Sequence, residues 1–150
     1  MNLQGIMTRD VQCIRPDDTV QEAAEVMRQA DVGALPVCEW DGIVVGMLTD
    51  RDIVRRTTAK GLEPIGVKVR DVMTCDVVRL LESQDVLDAA QLMDIRQVRR
   101  LVVVQPDGRL VGIVSLDDLA HHPELRELAG TTLNRVSQSY EPNQRKPADS

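Results

Sequence analysis

The chain has no phenylalanine, one tryptophan and one tyrosine in 150 residues. Its core must therefore be aliphatic, built from Val, Leu, Ile, Met and Ala. The same scarcity counts against a platform for single-stranded nucleic acid, which stacks bases on exposed rings. Positive charge is in deficit too, because 24 acidic and 18 basic side chains leave a net charge of −6. A field of that sign repels phosphate backbones and anionic lipid surfaces, so neither nucleic acid nor membrane is an expected partner, though a small local basic site is compatible with it. No apolar run reaches membrane-spanning length. Met1 to Met7 lacks the charged-then-apolar layout of a secretory signal, and the expectation is a soluble cytoplasmic protein. Cysteines are few as well: Cys13, Cys38 and Cys75, with no CxxC pairing. That odd count favours reduced thiols acting as small buried hydrophobes.

What the chain does have is a repeat. Shifting the sequence by 66 places lays Met7 on Met73 and aligns two stretches without a gap. Ile6-Met7-Thr8 falls on Val72-Met73-Thr74, and Asp10-Val11 on Asp76-Val77. Val20, Ala23, Ala24 and Met27 meet Val86, Ala89, Ala90 and Met93, and Asp41-Gly42 meets Asp107-Gly108. Asp52 falls on Asp118. Self-similarity in unbroken register over such a length makes each copy one structural unit.

Each copy reads strand, helix, strand, strand, helix, a mixed α+β pattern. The first strand spans 11–14 (77–80). Thr19 and Glu22 have capping-box spacing, and Val20, Ala23, Ala24 and Met27 follow at i, i+3, i+4, i+7, one apolar helix face. Strands at 34–38 (100–104) and 43–48 (109–114) flank an Asp-Gly pair, a hairpin signal because both residues tolerate positive φ. A right-handed crossover should put the first strand beside the hairpin, with both helices on one face. One copy alone buries too little, so two copies packed sheet to sheet, related by a pseudo-twofold with a cleft on its axis, are expected. The division is repeat 1 at 5–57, a linker at 58–70, repeat 2 at 71–121, a C-terminal helix at 122–137 and a disordered tail at 138–150. The connection is expected to hold a helix through Ala59, then a turn at Lys60-Gly61.

Both copies carry one pattern where the last strand meets the last helix: Gly46-Met47-Leu48-Thr49-Asp50-Arg51-Asp52, and Gly112-Ile113-Val114-Ser115-Leu116-Asp117-Asp118. Two readings stay open. Thr49 with Asp52, and Ser115 with Asp118, are hydroxyl-x-x-carboxylate boxes that cap a helix, typically worth ~1 kcal/mol. Alternatively the carboxylate accepts both hydroxyls of a ribose, at ~1.5–3 kcal/mol per charged hydrogen bond. A helix start beside it favours a phosphate.

The repeat order and the paired Gly-x-x-Ser/Thr-x-x-Asp motifs resemble a tandem cystathionine-β-synthase (CBS) domain pair, or Bateman module, over residues 5–120. With no other domain in the sequence, the chain resembles stand-alone bacterial CBS-pair proteins. Gly33-Ala34-Leu35-Pro36-Val37 and Met47 to Val54 are similar to the hypoxic-response subset. The resemblance implies a regulatory, signal-sensing module. It would bind an adenosyl ligand in the inter-repeat cleft, form head-to-head or head-to-tail homodimers, and act on a protein partner not named by the sequence. Some members bind no nucleotide and act as interaction proteins. The stretch Arg99 to Val104 with Gly112 to Ser115 also resembles the nucleotide-binding repeats of the AMP-activated protein kinase gamma subunit.

That second resemblance implies a second-copy site in which Asp118 holds the ribose and Ser115 a phosphate or ribose oxygen. Arg99 and Arg100 would neutralise phosphate, unless they are simply a solvated strand edge. Thr74, Asp76 and Val77 would border the adenine. The first-copy site is Thr8, Asp10, Val11, Thr49 and Asp52, where Gly33 and Ala34 replace the arginines. Unequal sites follow, the second binding phosphate better. The arginine pair argues for AMP, ADP or ATP over a sulfonium such as S-adenosylmethionine.

No catalytic set, metal site or required cofactor is read. Ser115, Asp118 and His121 make no triad by spacing alone, and adjacent His121-His122 diverge on a helix without ligand partners. Arg55, Arg56 and Arg96 read as exposed, with Arg55 or Arg56 within reach of a cleft phosphate. Cys13 and Cys38 lie on strands that the crossover sets side by side, leaving a disulfide or two buried thiols open.

Overall fold

The computed structural model describes residues 1–138, and the expected tail at 138–150 lies, beyond Gln138, outside the described residues. Among the described residues the protein is mixed α+β, with five α-helices and sheets of two and three strands. It divides into two compact units. Unit 1 comprises Met1–Arg9, Val78–Val103 and the chain from Gly112 onward, and unit 2 comprises Asp10–Val77 with Val104–Val111.

In unit 2, α1 (Val20–Ala30) starts at a capping box: Glu22 N–H donates to Thr19 Oγ1 at 3.0 Å, and Thr19 N–H to Glu22 Oε1 at 2.8 Å. Val20, Ala23 and Met27 turn inward as their spacing requires. β1 (Ala34–Cys38) and β2 (Val44–Thr49) form an antiparallel pair running from Ala34 opposite Thr49 to Cys38 opposite Val44. In both Asp-Gly turns only the glycine takes positive φ, +89° at Gly42 and +95° at Gly108. The aspartates act through their side chains instead, Asp41 Oδ1 accepting from Ile43 N–H and Asp107 Oδ1 from Arg109 N–H, each at 3.1 Å.

The first strand expected at 11–14 shrinks to one parallel bridge between Ile14 and Val37. Ile14 N–H donates to Pro36 O and Cys38 N–H to Ile14 O. A strand residue presents its N–H and C=O to the same side, so the N–H that Pro36 lacks is the donor that would have extended this ladder. The second copy has Val102 there, and its first strand forms as β3 (Arg79–Leu81). The helix expected through Ala59 stops sooner. After α2 (Asp50–Arg56), Thr57 leaves helical geometry at φ −124° with its side chain fully buried, and a 3-10 turn at Thr58–Lys60 ends in Gly61 at φ +72°.

β3 lies beside β4 (Arg100–Val104), which pairs with β5 (Leu110–Ser115). Asp85 caps α3 (Val86–Arg96), accepting from Leu87 N–H at 2.9 Å. α4 (Leu116–Ala120) is followed by a 3-10 turn at Pro123–Leu125 and by α5 (Arg126–Gln138), which packs on α3 and α4. Leu125, Ala129, Thr132 and Val136 make the buried stripe of this last segment. The cover on α3 shows in the paired alanines: Ala90 is 4 % exposed, whereas Ala24 of α1 is half-buried.

The units cut across the repeats because each copy's leading segment is exchanged. In unit 1, Thr8 and Ile113 trade two backbone hydrogen bonds, at 2.8 and 3.0 Å, and Leu3 N–H donates to Gln84 O. In unit 2, Thr74 and Met47 trade two at 2.9 Å, and Val69 N–H donates to Asp18 O. Leu3 and Val69, again 66 residues apart, open matching 3-10 turns and are fully buried. The motif glycines make this approach possible. A Cβ on Gly112 would stand 2.4 Å from Thr8 O, and one on Gly46 would stand 3.0 Å from Thr74 O and 2.7 Å from Met73 Sδ.

The Ile14–Val37 bridge also brings Cys13 and Cys38 together as free thiols. Arg15 Nη1 donates to Cys13 Sγ at 3.2 Å, and its guanidinium lies 4.5 Å from the Trp40 ring centroid. A hydrogen bond from Cys38, with the bond and charge of Arg15, outweighs burial and pulls the Cys13 thiol down to about 5. Cys38 is pushed up, because it keeps the proton it donates to Cys13 and is buried.

Two expectations follow. Gly112→Ala should destabilise the fold by about 1–3 kcal/mol, the usual cost of forced overpacking. Gly46→Ala should cost less, because the flexible Met73 side chain can yield where the Thr8 carbonyl cannot. Urea unfolding of the two variants measures the order, and equal midpoints would contradict the close-approach role of Gly112. Second, the alkylation rate of Cys13 should level off above about pH 6, since its thiolate already predominates there, whereas an ordinary thiol gains rate up to about pH 8.5. Mass-resolved alkylation across pH, with Arg15→Ala shifting the plateau upward, tests the assignment.

Candidate functional site

The two motifs are helix caps in the structure. Asp118 N–H donates to Ser115 Oγ at 3.1 Å, and Ser115 N–H donates to Asp118 Oδ2 at 2.8 Å. Thr49 and Asp52 repeat the arrangement at 3.0 and 3.1 Å. Capping leaves lone pairs on each carboxylate, because an ionised carboxylate has about four acceptor sites. Asp118 uses one of them further, Oδ1 accepting from Thr8 Oγ1 at 3.1 Å.

That contact corrects the grouping read from the sequence. Thr8 stands with Ser115 and Asp118 in unit 1, not with Thr49 and Asp52. Thr74 stands against Met47, in the unit that holds Thr49 and Asp52, and Asp76 and Val77 belong to the same unit. Asp10, exposed at φ +56°, and Val11 also lie in unit 2. Register along the chain assigns each leading segment to its own copy, whereas the backbone ladder across the motif glycine assigns it to the other.

Arg99 and Arg100 share a cavity with Ser115. This cavity, of about 310 Å³ in unit 1, is lined also by Leu116 and Asp117 of α4 and Arg126, Ala129, Gly130 and Leu133 of α5. Leu116 N–H donates to Arg99 O at 3.0 Å, tying the start of β4 to the start of α4. The first copy keeps this backbone bond, Asp50 N–H to Gly33 O at 2.9 Å, and inverts the chemistry. Gly33 replaces Arg99, and Asp50 replaces Leu116, with a carboxylate oxygen 3.0 Å from where a Gly33 Cβ would be. An acid without a partner arginine repels phosphate, while the second copy offers two guanidiniums and an apolar residue.

Arg126 is absent from the sequence reading because it lies beyond the repeat. Its signal there is a cation in the first turn of a helix, against the helix dipole. Arg56, within reach of phosphate in the sequence reading, is held elsewhere: its Nη1 donates to Val72 O at 2.9 Å and Met73 O at 3.2 Å. His121 Nδ1 lies 2.6 Å from Asp117 O, and His122 Nδ1 lies 3.8 Å from Glu124 Oε1. Among the described residues no group of three or more His, Cys, Asp or Glu converges as a metal site.

Comparison with known proteins matches this architecture. The CBS domain family model matches residues 3–58 and 69–124, both starting at the buried apolar residue of the leading segment. The CBS domain-containing protein YhcV of Bacillus subtilis is 43 % identical over 136 residues, covering 91 % of this chain and 95 % of that protein. Hypoxic response protein 1 of Mycobacterium tuberculosis is 38 % identical over 119 residues, covering 79 % and 82 %. A CBS domain protein of Pyrobaculum aerophilum, solved in complex with AMP, superposes with a TM-score of 0.77 over 87 % of this chain and 99 % of that one; at 23 % identity this likeness is one of fold. With both repeats matched in register and close relatives spanning nearly all of it, the chain belongs to the CBS domain family as a tandem pair.

Proposed function

We propose that the chain is a regulatory module that senses an adenosyl nucleotide of the AMP, ADP or ATP type. Binding would be relayed through a conformational or dimer change to a protein partner. The observation that carries the reading is the cavity beside the second motif, where Arg99 and Arg100 stand next to Ser115 and carry no ion pair among the described residues. A few charged hydrogen bonds at ~1.5–3 kcal/mol each, with a base against the apolar wall, suffice for sensing affinities. Those run from micromolar to millimolar, or ~8 to ~4 kcal/mol. The AMP carried by the Pyrobaculum aerophilum protein accords with a ligand of this class. The first-copy motif, with Asp50 in place of the apolar Leu116 and no arginine at Gly33, is the weaker site. The proposal assigns no catalytic step: Ser115 Oγ serves the cap, and His121 Nδ1 faces a main-chain carbonyl.

A second reading is an interaction protein of the same fold that binds no nucleotide. It is favoured by the engagement of Asp118, whose two oxygens already accept from Ser115 and Thr8. Exposed Trp40 and Ile95 are surface a partner protein can cover.

Thermal unfolding separates the two. AMP, ADP, ATP and S-adenosylmethionine are added to the wild type and to Arg100→Ala, whose exposed and unpaired side chain leaves the fold intact. A ligand that binds only the native state at a hundred times its Kd adds about 2.7 kcal/mol, a rise of several degrees. The sensor reading expects that rise with a nucleotide in the wild type and its loss in Arg100→Ala. No rise at millimolar nucleotide favours the interaction protein.

A further inference from the structure

Three arginines, not two, line the cavity of unit 1: Arg99 and Arg100 at the start of β4, and Arg126 at the start of α5. None has an ion pair or side-chain hydrogen bond among the described residues. Four arginines elsewhere form ion pairs: Arg9 with Glu82, Arg70 with Asp17, Arg109 with Asp107 and Arg135 with Asp94. In a protein with 24 acidic side chains, three guanidiniums without ion pairs converge on this one cavity. Asp117 is the one carboxylate among the lining residues.

Two features of α5 have no structural reason within the fold. Arg126 places a cation in the first helical turn, where the dipole disfavours it. Gly130, one turn on and on the same face, lines the cavity inside a thirteen-residue helix. Glycine weakens a helix interior relative to alanine, yet a Cβ at Gly130 would meet nothing within 4 Å. Packing does not exclude a side chain there; its absence keeps the cavity wall open.

Resting on the nucleotide reading above, we infer that Arg126 makes this site selective for nucleoside di- and triphosphates over monophosphates, and thereby ties α5 to the bound ligand. A phosphomonoester carries about −1.5 to −2 at pH 7, which Arg99 and Arg100 balance. The third guanidinium, on a separate element, answers the extra charge of a longer phosphate chain and bonds to it bidentately.

The test is titration calorimetry of the wild type, Arg126→Gln and Gly130→Leu with AMP, ADP and ATP. The wild type should bind ADP and ATP roughly tenfold or more tightly than AMP, the worth of one charged hydrogen bond. Arg126→Gln should remove that margin and leave AMP affinity within about twofold. Gly130→Leu should block all three nucleotides without lowering the melting temperature. If the wild type binds AMP and ATP equally, or Arg126→Gln weakens both alike, the selectivity assignment is wrong while the nucleotide reading stands. If no nucleotide binds the wild type at millimolar concentration, the nucleotide reading itself fails, and this inference with it.

Discussion

The structure depends on two places where backbone meets backbone across a glycine. At Gly112 the carbonyl of Thr8 occupies the space a Cβ would need, and at Gly46 Met73 and Thr74 do the same. The approach lets Thr8 pair with Ile113 and Thr74 with Met47. Each copy's leading segment is thereby stitched to the last strand of the other copy, and the two compact units take their composition from that exchange. Leu3 and Val69 anchor the segments as fully buried side chains. The glycine at the head of each motif therefore has a packing role, while the hydroxyl and carboxylate that follow serve the helix start.

From this stitching comes the chemistry of the candidate site. Because Thr8 pairs with Ile113 of β5, its hydroxyl reaches Asp118 and donates to the carboxylate oxygen that the cap leaves over. The bond from Leu116 N–H to Arg99 O sets the arginine pair beside the motif. α5 supplies the remaining wall. The first copy has the same backbone skeleton, with Gly33 and Asp50 where the second has Arg99 and Leu116. One scaffold thus carries two motifs of opposite local charge.

Much of this was legible because it is local. Thr19 and Glu22 cap α1 as their spacing demands, the Asp-Gly turns close both hairpins, and the inward faces of α1 and α3 follow the apolar spacing. The misses have local causes as well. Pro36 lacks the donor that would have extended the first strand, and Thr57 leaves helical geometry before Ala59. The shift of 66 residues also extends to Leu3 and Val69, three residues upstream of the match first seen at Ile6 and Val72, and the apolar identity of both was available there.

The sequence by itself determined the duplication, the element order, the motif positions and the unequal charge of the two copies, because each is a matter of residue type at fixed spacing. Only the tertiary structure decided which leading segment serves which motif. Strand pairing is set by hydrogen-bond geometry between segments far apart in the chain, and register along the sequence does not specify it. The same holds for Arg126 and Gly130. They lie outside the repeat and reach the cavity because the buried stripe of α5 packs against α3 and α4, a contact fixed by apolar burial and not by any motif.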